Sequence, residues 1–289
     1  MLKSRLVGML ILRGDIIVQS INFQRYLPVG RPDIAAQYLN RWGIDELVLV
    51  DITASAENRT ISPDIVKSVA RNSQAPLSVA GGIRNVEDIQ RLLDHGADKI
   101  SINTAWTDNH RLVSEAAGRF GAQCIVVSID ARKITDGTHR VYRDGGRTRI
   151  DTTPADQAHQ AAELGAGEIL LNSINRDGSK QGFDLGLIKS VSDRVHIPVV
   201  AVGGAGHPAH FKAALQAGAS AAAAGNFFHF TEHSVITAKR YLLARDTHIR
   251  LDTRVTYQNL DIGADGRPLK IDDEVLERMR FEYVPEELI

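Results

Sequence analysis

Cysteine is almost missing from this sequence: Cys124 is the only one in 289 residues. That excludes an internal disulfide and any metal site built from several cysteines, and it suits a reducing compartment. The thiol stands in an apolar run, residues 124–129, where a buried, inert side chain is expected rather than a nucleophile. Long hydrophobic runs are missing as well. No segment has the ~18 consecutive apolar residues of a membrane span, and the start Met1-Leu2-Lys3-Ser4-Arg5 carries no apolar signal core. A cytoplasmic protein with no membrane partner is expected. Nor is one sign of charge in excess: 34 basic against 35 acidic residues leave a formal net charge of -1, without any basic run. Nucleic acid is therefore not an expected partner, and any phosphate binding must be local. Neither a metal nor a cofactor is expected.

The chain does have a regular alternation. With 43% hydrophobic and 24% charged residues, it is long enough for one large α/β domain or two small ones. Short apolar runs predict strands over 5–12, 46–51, 77–80, 98–103, 124–130, 168–172, 198–202 and 220–224. Each is too apolar to have one wet face, as parallel strands buried on both sides are. Amphipathic stretches predict helices over 32–42, 62–72, 86–96, 109–121, 154–165 and 208–218, several ending at a glycine such as Gly96, Gly121, Gly165 or Gly218. Eight strand–helix units in about 250 residues match a (β/α)8 TIM barrel. An open doubly wound sheet is the alternative, but no G-x-G-x-x-G follows the first strand.

The sequence also repeats itself. Residues 79–105 and 202–228 align with Gly81-Gly82 on Gly203-Gly204 and Gly96 on Gly218, both at a shift of 122 positions. Residues 48–55 then lie on 170–178, and 6–12 on 125–131, which places Ile11 opposite Asp130. A barrel of two half-barrel repeats is expected, with a related binding site in each half.

Gly81-Gly82 and Gly203-Gly204 directly follow predicted strands, and Asn103-Thr104 and Gly225-Asn226 follow the next strand of each half. Backbone amides freed by glycine beside a helix N-terminus form a phosphate cradle that needs no net positive charge. Tight turns that only glycine fits are the plainer explanation, but the duplication favours phosphate, and two cradles suit a ligand with a phosphate at each end. Asp51, Asp130 and Asp177 stand at or just past strand C-termini, the active face of such a barrel. A semi-buried carboxylate there can move protons; each could instead cap a helix or brace a loop, least so Asp130, the single acid ending an apolar strand. At the opposite ends Arg5, Glu46, Lys99 and Glu168 begin the first, second, fourth and sixth strands. Four charges of alternating sign would form a salt-bridged ring across the floor, which on fold grounds alone simply closes the barrel.

Together LVLVDITAS, GGIRNVEDIQRLLDHGADKISINTA, IDA at 129–131, AGEILLNSINRDGSKQGFD, GGAG and FFHF resemble the cyclase subunit of imidazole glycerol phosphate synthase, the HisF family, from residue 1 to about 251. The resemblance implies a (β/α)8 barrel and, as ligand, a ribulosyl-formimino-aminoimidazole carboxamide bisphosphate. Its two phosphate sites fall on the cradles above, with Asp177 and Gly178 added to the second. The resemblance also implies a HisH-like glutaminase partner, whose ammonia enters through the floor to close the imidazole ring. In that family two aspartates, ending the first and fifth strands, act as general acid and base. Asp130 keeps the second of these, but the first is Ile11, which cannot move a proton at any pH.

Further departures follow the same direction. The family's loop lysine is Gln19, a serine at the seventh strand's end is Val202, and the earlier acid of its Asp-Arg-Asp-Gly is Asn175. Asp15 lies too far past the strand end to substitute. The floor, by contrast, is complete: Arg5, Glu46, Lys99 and Glu168 occupy the family's ammonia-gate positions, and Asp98 its glutaminase interface. HisF-like copies of this kind occur in bacterial surface-polysaccharide pathways, beside a HisH-like glutaminase and a sugar amidotransferase that makes acetamidino sugars. The expected function is therefore to bind a glutaminase and channel its ammonia to a sugar amidotransferase, with impaired cyclase chemistry. A divergent histidine-biosynthetic cyclase working from Asp130 is the alternative. The barrel is expected over 1–251 and an extension over 252–289. In the extension, 272–283 reads as a short amphipathic helix with Val275, Leu276, Met279 and Tyr283 on one face, folded back on the barrel or docked on a third protein.

Overall fold

Parallel strands that are apolar on both faces need a layer of helices outside and a filled interior within, and the chain supplies both. The computed structural model describes residues 3–230, 233–251, 262–267 and 269. Its barrel strands are β1 (Arg5–Arg13), β2 (Glu46–Asp51), β3 (Leu77–Ala80), β4 (Lys99–Ile102), β5 (Ile125–Lys133), β6 (Glu168–Ser173), β7 (Val199–Val202) and β8 (Ala221–Ala224). Every neighbouring pair is parallel, β1 pairs with both β2 and β8, and β5 pairs with both β4 and β6, so the barrel is closed. The expected TIM barrel is the observed fold.

Alternation along each strand divides the core into two. Leu6, Leu10 and Leu12 of β1 join Leu47, Leu49, Val79, Ile100, Val127 and Ile169 in the layer between sheet and helices. Val7 and Met9 point the other way, meeting Val48, Val126, Leu170, Val200, Ala221 and Ala223 inside the barrel. The helices predicted from sequence are present, and among the described residues four were not predicted: the short Thr104–Asp108 and Asn226–Phe230, and two longer ones that complete the outer layer. Leu185–Ser192 contains Gly186, which weakens its helical signal; the Asp184 carboxylate starts it by accepting from the Leu187 amide at 3.0 Å. Ser234–Leu243 is buried nearly all round and so has no polar face to mark its period. Even Lys239 in that helix is only 1% exposed, its ammonium donating to Asp45 Oδ1 at 2.5 Å and to the Gly43 carbonyl at 2.6 Å.

The two halves repeat in three dimensions. β1 and β5 run past their predicted ends, and each leads into an antiparallel hairpin unforeseen from sequence, Ile16–Ile21 with Arg25–Gly30 and His139–Arg143 with Thr148–Ile150. Each hairpin is stapled by the arginine two residues past the Ile11 or Asp130 position: Arg13 lies over the Tyr26 ring and Arg132 over the Tyr142 ring. The glycine pairs also match. A Cβ on Gly82 would sit 1.8 Å from the Arg59 carbonyl oxygen, and one on Gly204 would sit 2.2 Å from that of Gly182. Close backbone approach by itself therefore demands these glycines.

Among the described residues no helix is long and apolar enough to cross a membrane. Cys124 is half-buried rather than fully buried, because a 3-10 turn carries it just ahead of β5 instead of within it. Residues 262–267 reach the helix Pro208–Gln216: a Cβ on Gly266 would meet Pro208 Cδ at 2.5 Å. The expected helix over 272–283 lies outside the described residues.

Candidate active site

A cavity of about 650 Å3 opens at the C-terminal ends of the strands. Asp130, Ile11, both glycine pairs, Asn103, Thr104, Asp177, Gly178, Gly225 and Asn226 all line it, so the upper-face residues singled out from sequence converge on one space. Its walls differ in character. Met9, Ile11, Val50 and Val202 form an apolar side, whereas Ser101, Asn103, Ser128, Asp130 and Asn172 form a polar one.

Asp130 ends the apolar run of β5 and is buried. Asn103 donates Nδ2 to its Oδ2 at 2.8 Å, and Asn172 donates Nδ2 to its Oδ1 at 3.3 Å. Burial pushes the Asp130 carboxyl up to about 6; the two amides oppose that rise, and the like charge of Asp177 adds to it. A carboxylate so poised can give and take protons near neutrality. Asn103 directly precedes the short helix Thr104–Asp108, yet its side chain serves Asp130 rather than capping that helix. Replacing it, Asn103→Ala, should therefore raise the Asp130 carboxyl above 6, which carboxyl-carbon NMR titration would show; a fall would contradict this arrangement.

The two hairpins roof the cavity. Asn22 and Phe23, both at positive φ (56° and 58°), turn the first hairpin, and Phe23 and Tyr26 line the space beneath it. A Cβ on Gly146, at the second hairpin's tip, would lie 3.3 Å from the Phe23 ring, so the tips meet. Asp177 fixes the first hairpin from below, accepting from Ser20 Oγ at 2.7 Å and the Phe23 amide at 3.0 Å. Burial raises its carboxyl above the ordinary carboxylate range despite those two bonds. Asn226 Nδ2 adds a bond to the Ser20 carbonyl at 2.7 Å. Gly178 has no room for a side chain, since a Cβ would meet the Ser20 oxygen at 2.7 Å.

At the floor the four charges close into a ring. Glu46 accepts from Arg5 Nη1 at 2.5 Å and from Lys99 Nζ at 2.9 Å; Glu168 accepts from Arg5 Nη2 and from Lys99 Nζ at 2.8 Å. Ser78 Oγ donates to Glu46 as well, at 3.1 Å. Burial works against the Arg5 charge, but Glu168 and Glu46 more than offset it and hold the guanidinium above its ordinary range.

Comparison with known proteins agrees with this architecture. The histidine biosynthesis protein family matches residues 8–234. A Vibrio vulnificus (strain YJ016) chain, provisionally named imidazole glycerol phosphate synthase subunit hisF2, is 41% identical over 271 residues, covering 93% of this chain and 98% of its own length. The chain belongs to the histidine biosynthesis protein family, as a HisF-like member.

In this HisF-like barrel the positions that the resemblance marks as departures take definite places. Ile11 and Asp130 stand on strands four apart around the barrel, each level with its neighbour strand's Val50 or Asn172. Val202 lines the cavity, as Ile11 does, whereas Gln19 pairs with Leu27 in the hairpin and does not line it. Asn175 braces the β5 end by accepting from the Lys133 amide at 2.7 Å, and Asp15 is exposed in the turn after β1. Asp51 is a brace too: it accepts from the Thr53 and Ala54 amides and pairs with Arg59 at 2.6 Å. Asp98, exposed on the floor side, accepts from the Leu77 amide at 2.8 Å. Sequence reasoning missed Asn172, Ser20 and Phe23; only Asn172, a polar residue ending an apolar strand, gave a signal that could have been followed.

Proposed function

We propose that this protein is the barrel subunit of a glutamine amidotransferase complex, in which a HisH-like glutaminase docks on the floor around Asp98. Ammonia released there passes through the ring of Arg5, Glu46, Lys99 and Glu168 and up the barrel to a separate amidotransferase, one that acts on a sugar. Cyclase chemistry is impaired. The observation that carries this reading is the asymmetry of the barrel's two ends: the floor ring is complete and bonded shut, while the acid–base pair of the upper face has lost a member to Ile11. The hisF2 subunit name of the Vibrio vulnificus relative supports a subunit role.

The interior suits the task physically. Above the ring lie Val7, Val48, Val126, Leu170, Val200, Ala221 and Ala223, an apolar layer through which neutral ammonia passes at far lower cost than an ion. The closed ring has to open for that passage, so docking must rearrange its bonds. In the upper cavity Gly81, Gly82, Asn103 and Thr104 form one phosphate cradle, and Asp177, Gly178, Gly203, Gly204, Gly225 and Asn226 frame the other. A phosphate-bearing ligand held there would report to the glutaminase.

The test is uncoupling. With the glutaminase and acceptor enzyme present, Arg5→Ala or Lys99→Ala should abolish glutamine-dependent transfer and leave transfer from free ammonium salt intact, because each leaves a buried glutamate short of a cation. Equal loss by both routes would remove the gate assignment. The divergent cyclase remains the second reading, favoured by the survival of Asp130 in a cavity that keeps both cradles.

A further inference from the structure

Five carboxylates line the upper cavity, those of Asp51, Asp108, Asp130, Asp144 and Asp177. Much of the positive charge around them is already spent, for Arg59 answers Asp51, and Arg143 answers Asp108 and Asp144. Asp130 and Asp177 have no cation partner among the described residues. A phosphate entering such a space meets like charge, so backbone amides alone would hold it weakly. Two further cations do line the cavity, Arg84 and Arg147. Both are exposed, and among the described residues neither pairs with a carboxylate.

Each stands beside one cradle. Arg84 follows Gly81-Gly82 on the same loop, and its Nη2 donates to Asn58 Oδ1 at 3.3 Å, a neutral acceptor that holds the guanidinium without cancelling its charge. Asn58 lines the cavity as well. The start of the next helix, Val86–Asp94, is closed by its own side chains: Asn85 accepts from the Asp88 amide at 2.8 Å, and Asp88 from the Arg84 amide at 3.1 Å. Beyond the glycines, the Arg84 side chain is therefore the donor this loop has to spare. Arg147 lies at the tip of the second hairpin, next to Gly146, where a Cβ would come within 3.2 Å of Ile174 and 3.3 Å of Phe23. Phe23 donates its amide to Asp177, and Ile174 begins the turn that leads into Asp177, so the tip lies over the second cradle. Charge agrees with this placement: burial above all raises the Tyr26 phenol, Asp177 adds to the rise, and Arg13 and Arg147 oppose it. Arg147 gives Nε to the Asp144 carbonyl at 2.7 Å, and its two Nη groups have no partner among the described residues.

We propose that Arg84 and Arg147 are the anion-gripping side chains of the upper cavity, one at each cradle, and that together they select a ligand with a phosphate at both ends over one with a single phosphate. A guanidinium presents parallel N–H donors to two phosphate oxygens and keeps its charge at any working pH, so it offsets the neighbouring carboxylates as amides cannot. Arg84 belongs to the wall and Arg147 to the roof, so one end of the ligand is gripped by the hairpin that covers it. The proposal rests on the reading of the cavity as a phosphate site given above.

The test uses the full-length chain without glutaminase or ammonia, so that nothing turns over. Calorimetry with the cyclases' bisphosphate substrate measures affinity, and 31P NMR of the bound ligand reads its two phosphates separately. Arg84→Ala and Arg147→Ala should each weaken binding about tenfold, as loss of a hydrogen bond between charged groups does. The double variant should lose about a hundredfold, since effects at separate sites add. Each single variant should shift a different phosphorus resonance, and Arg84→Lys or Arg147→Lys should keep part of the affinity. Ribose 5-phosphate, with one anionic end, should bind at least about a hundredfold more weakly than the bisphosphate. Unchanged affinity in either alanine variant, a shift of the same resonance by both, or equal binding of the monophosphate would overturn the proposal and leave the cradles standing. No binding of the bisphosphate by the wild-type chain would remove the phosphate reading of the cavity itself, and the role of these arginines with it.

Discussion

Given the cyclases' bisphosphate substrate and ammonium salt, the purified protein should close the imidazole ring roughly 10²–10⁴-fold more slowly than an ordinary cyclase, the usual cost of a lost general acid or base. The other acids near the position are engaged elsewhere: Asp108 and Asp144, which also line the cavity, pair with Arg143. Asp177 is turned to Ser20 and Phe23, Asp51 is held by Arg59 and two backbone amides, and Asp15 is exposed outside the cavity. Ile11 meanwhile presents an apolar wall with Met9, Val50 and Val202, which neither moves protons nor orders a water for the purpose. Ile11→Asp should recover part of the activity only, since the resemblance marks Gln19, Val202 and Asn175 as departures as well. Wild-type turnover near that of an ordinary cyclase, measured by product formation, would rule out the conduit reading in its present form.

Asp130→Asn should make the protein more stable at pH 8, by about 2 kcal/mol. In the folded state the carboxyl sits at about 6 against an ordinary 3.8, so the fold binds the proton more tightly than the unfolded chain does. Stability contributed by that proton is fully present below about pH 4 and lost as pH rises through 6; at pH 8 the buried charge costs about 3 kcal/mol. An asparagine removes that cost. It also leaves one of the Asn103 and Asn172 amides without its acceptor, which returns about 1 kcal/mol. Urea unfolding at pH 8 and again at pH 4 measures the difference, and the advantage of the variant should vanish at the lower pH. A variant no more stable than wild type at pH 8 would show that Asp130 is not held as a buried charge.

Much of the fold was legible because burial on both faces writes a continuous apolar run, and eight such runs left little choice of architecture. The two hairpins were not legible. Arg25–Gly30 has an exposed, irregular pattern with a proline at position 28, and the antiparallel strand His139–Arg143 is mostly charged or half-buried, so neither carries the signal of a core strand. Among the acids, Asp51 and Asp130 both read as carboxylates at strand ends, with Asp130 set apart only as the single acid ending an apolar strand. What separates them is whether an arginine from a following loop reaches the carboxylate, as Arg59 reaches Asp51 at 2.6 Å.

By itself, the sequence determined the alternation of strands and helices, the duplication of the halves and the absence of an acid at position 11, because these are properties of residue order and side-chain type. Tertiary structure alone decided that Arg5, Glu46, Lys99 and Glu168, spread over more than half the chain, close into one hydrogen-bonded ring. It also decided that, among the described residues, Asp130 has no cation partner while Asp51 has one, and that two hairpin tips meet above the cavity. Such facts depend on which distant groups come within 3 Å of each other, and that is fixed only when the barrel closes.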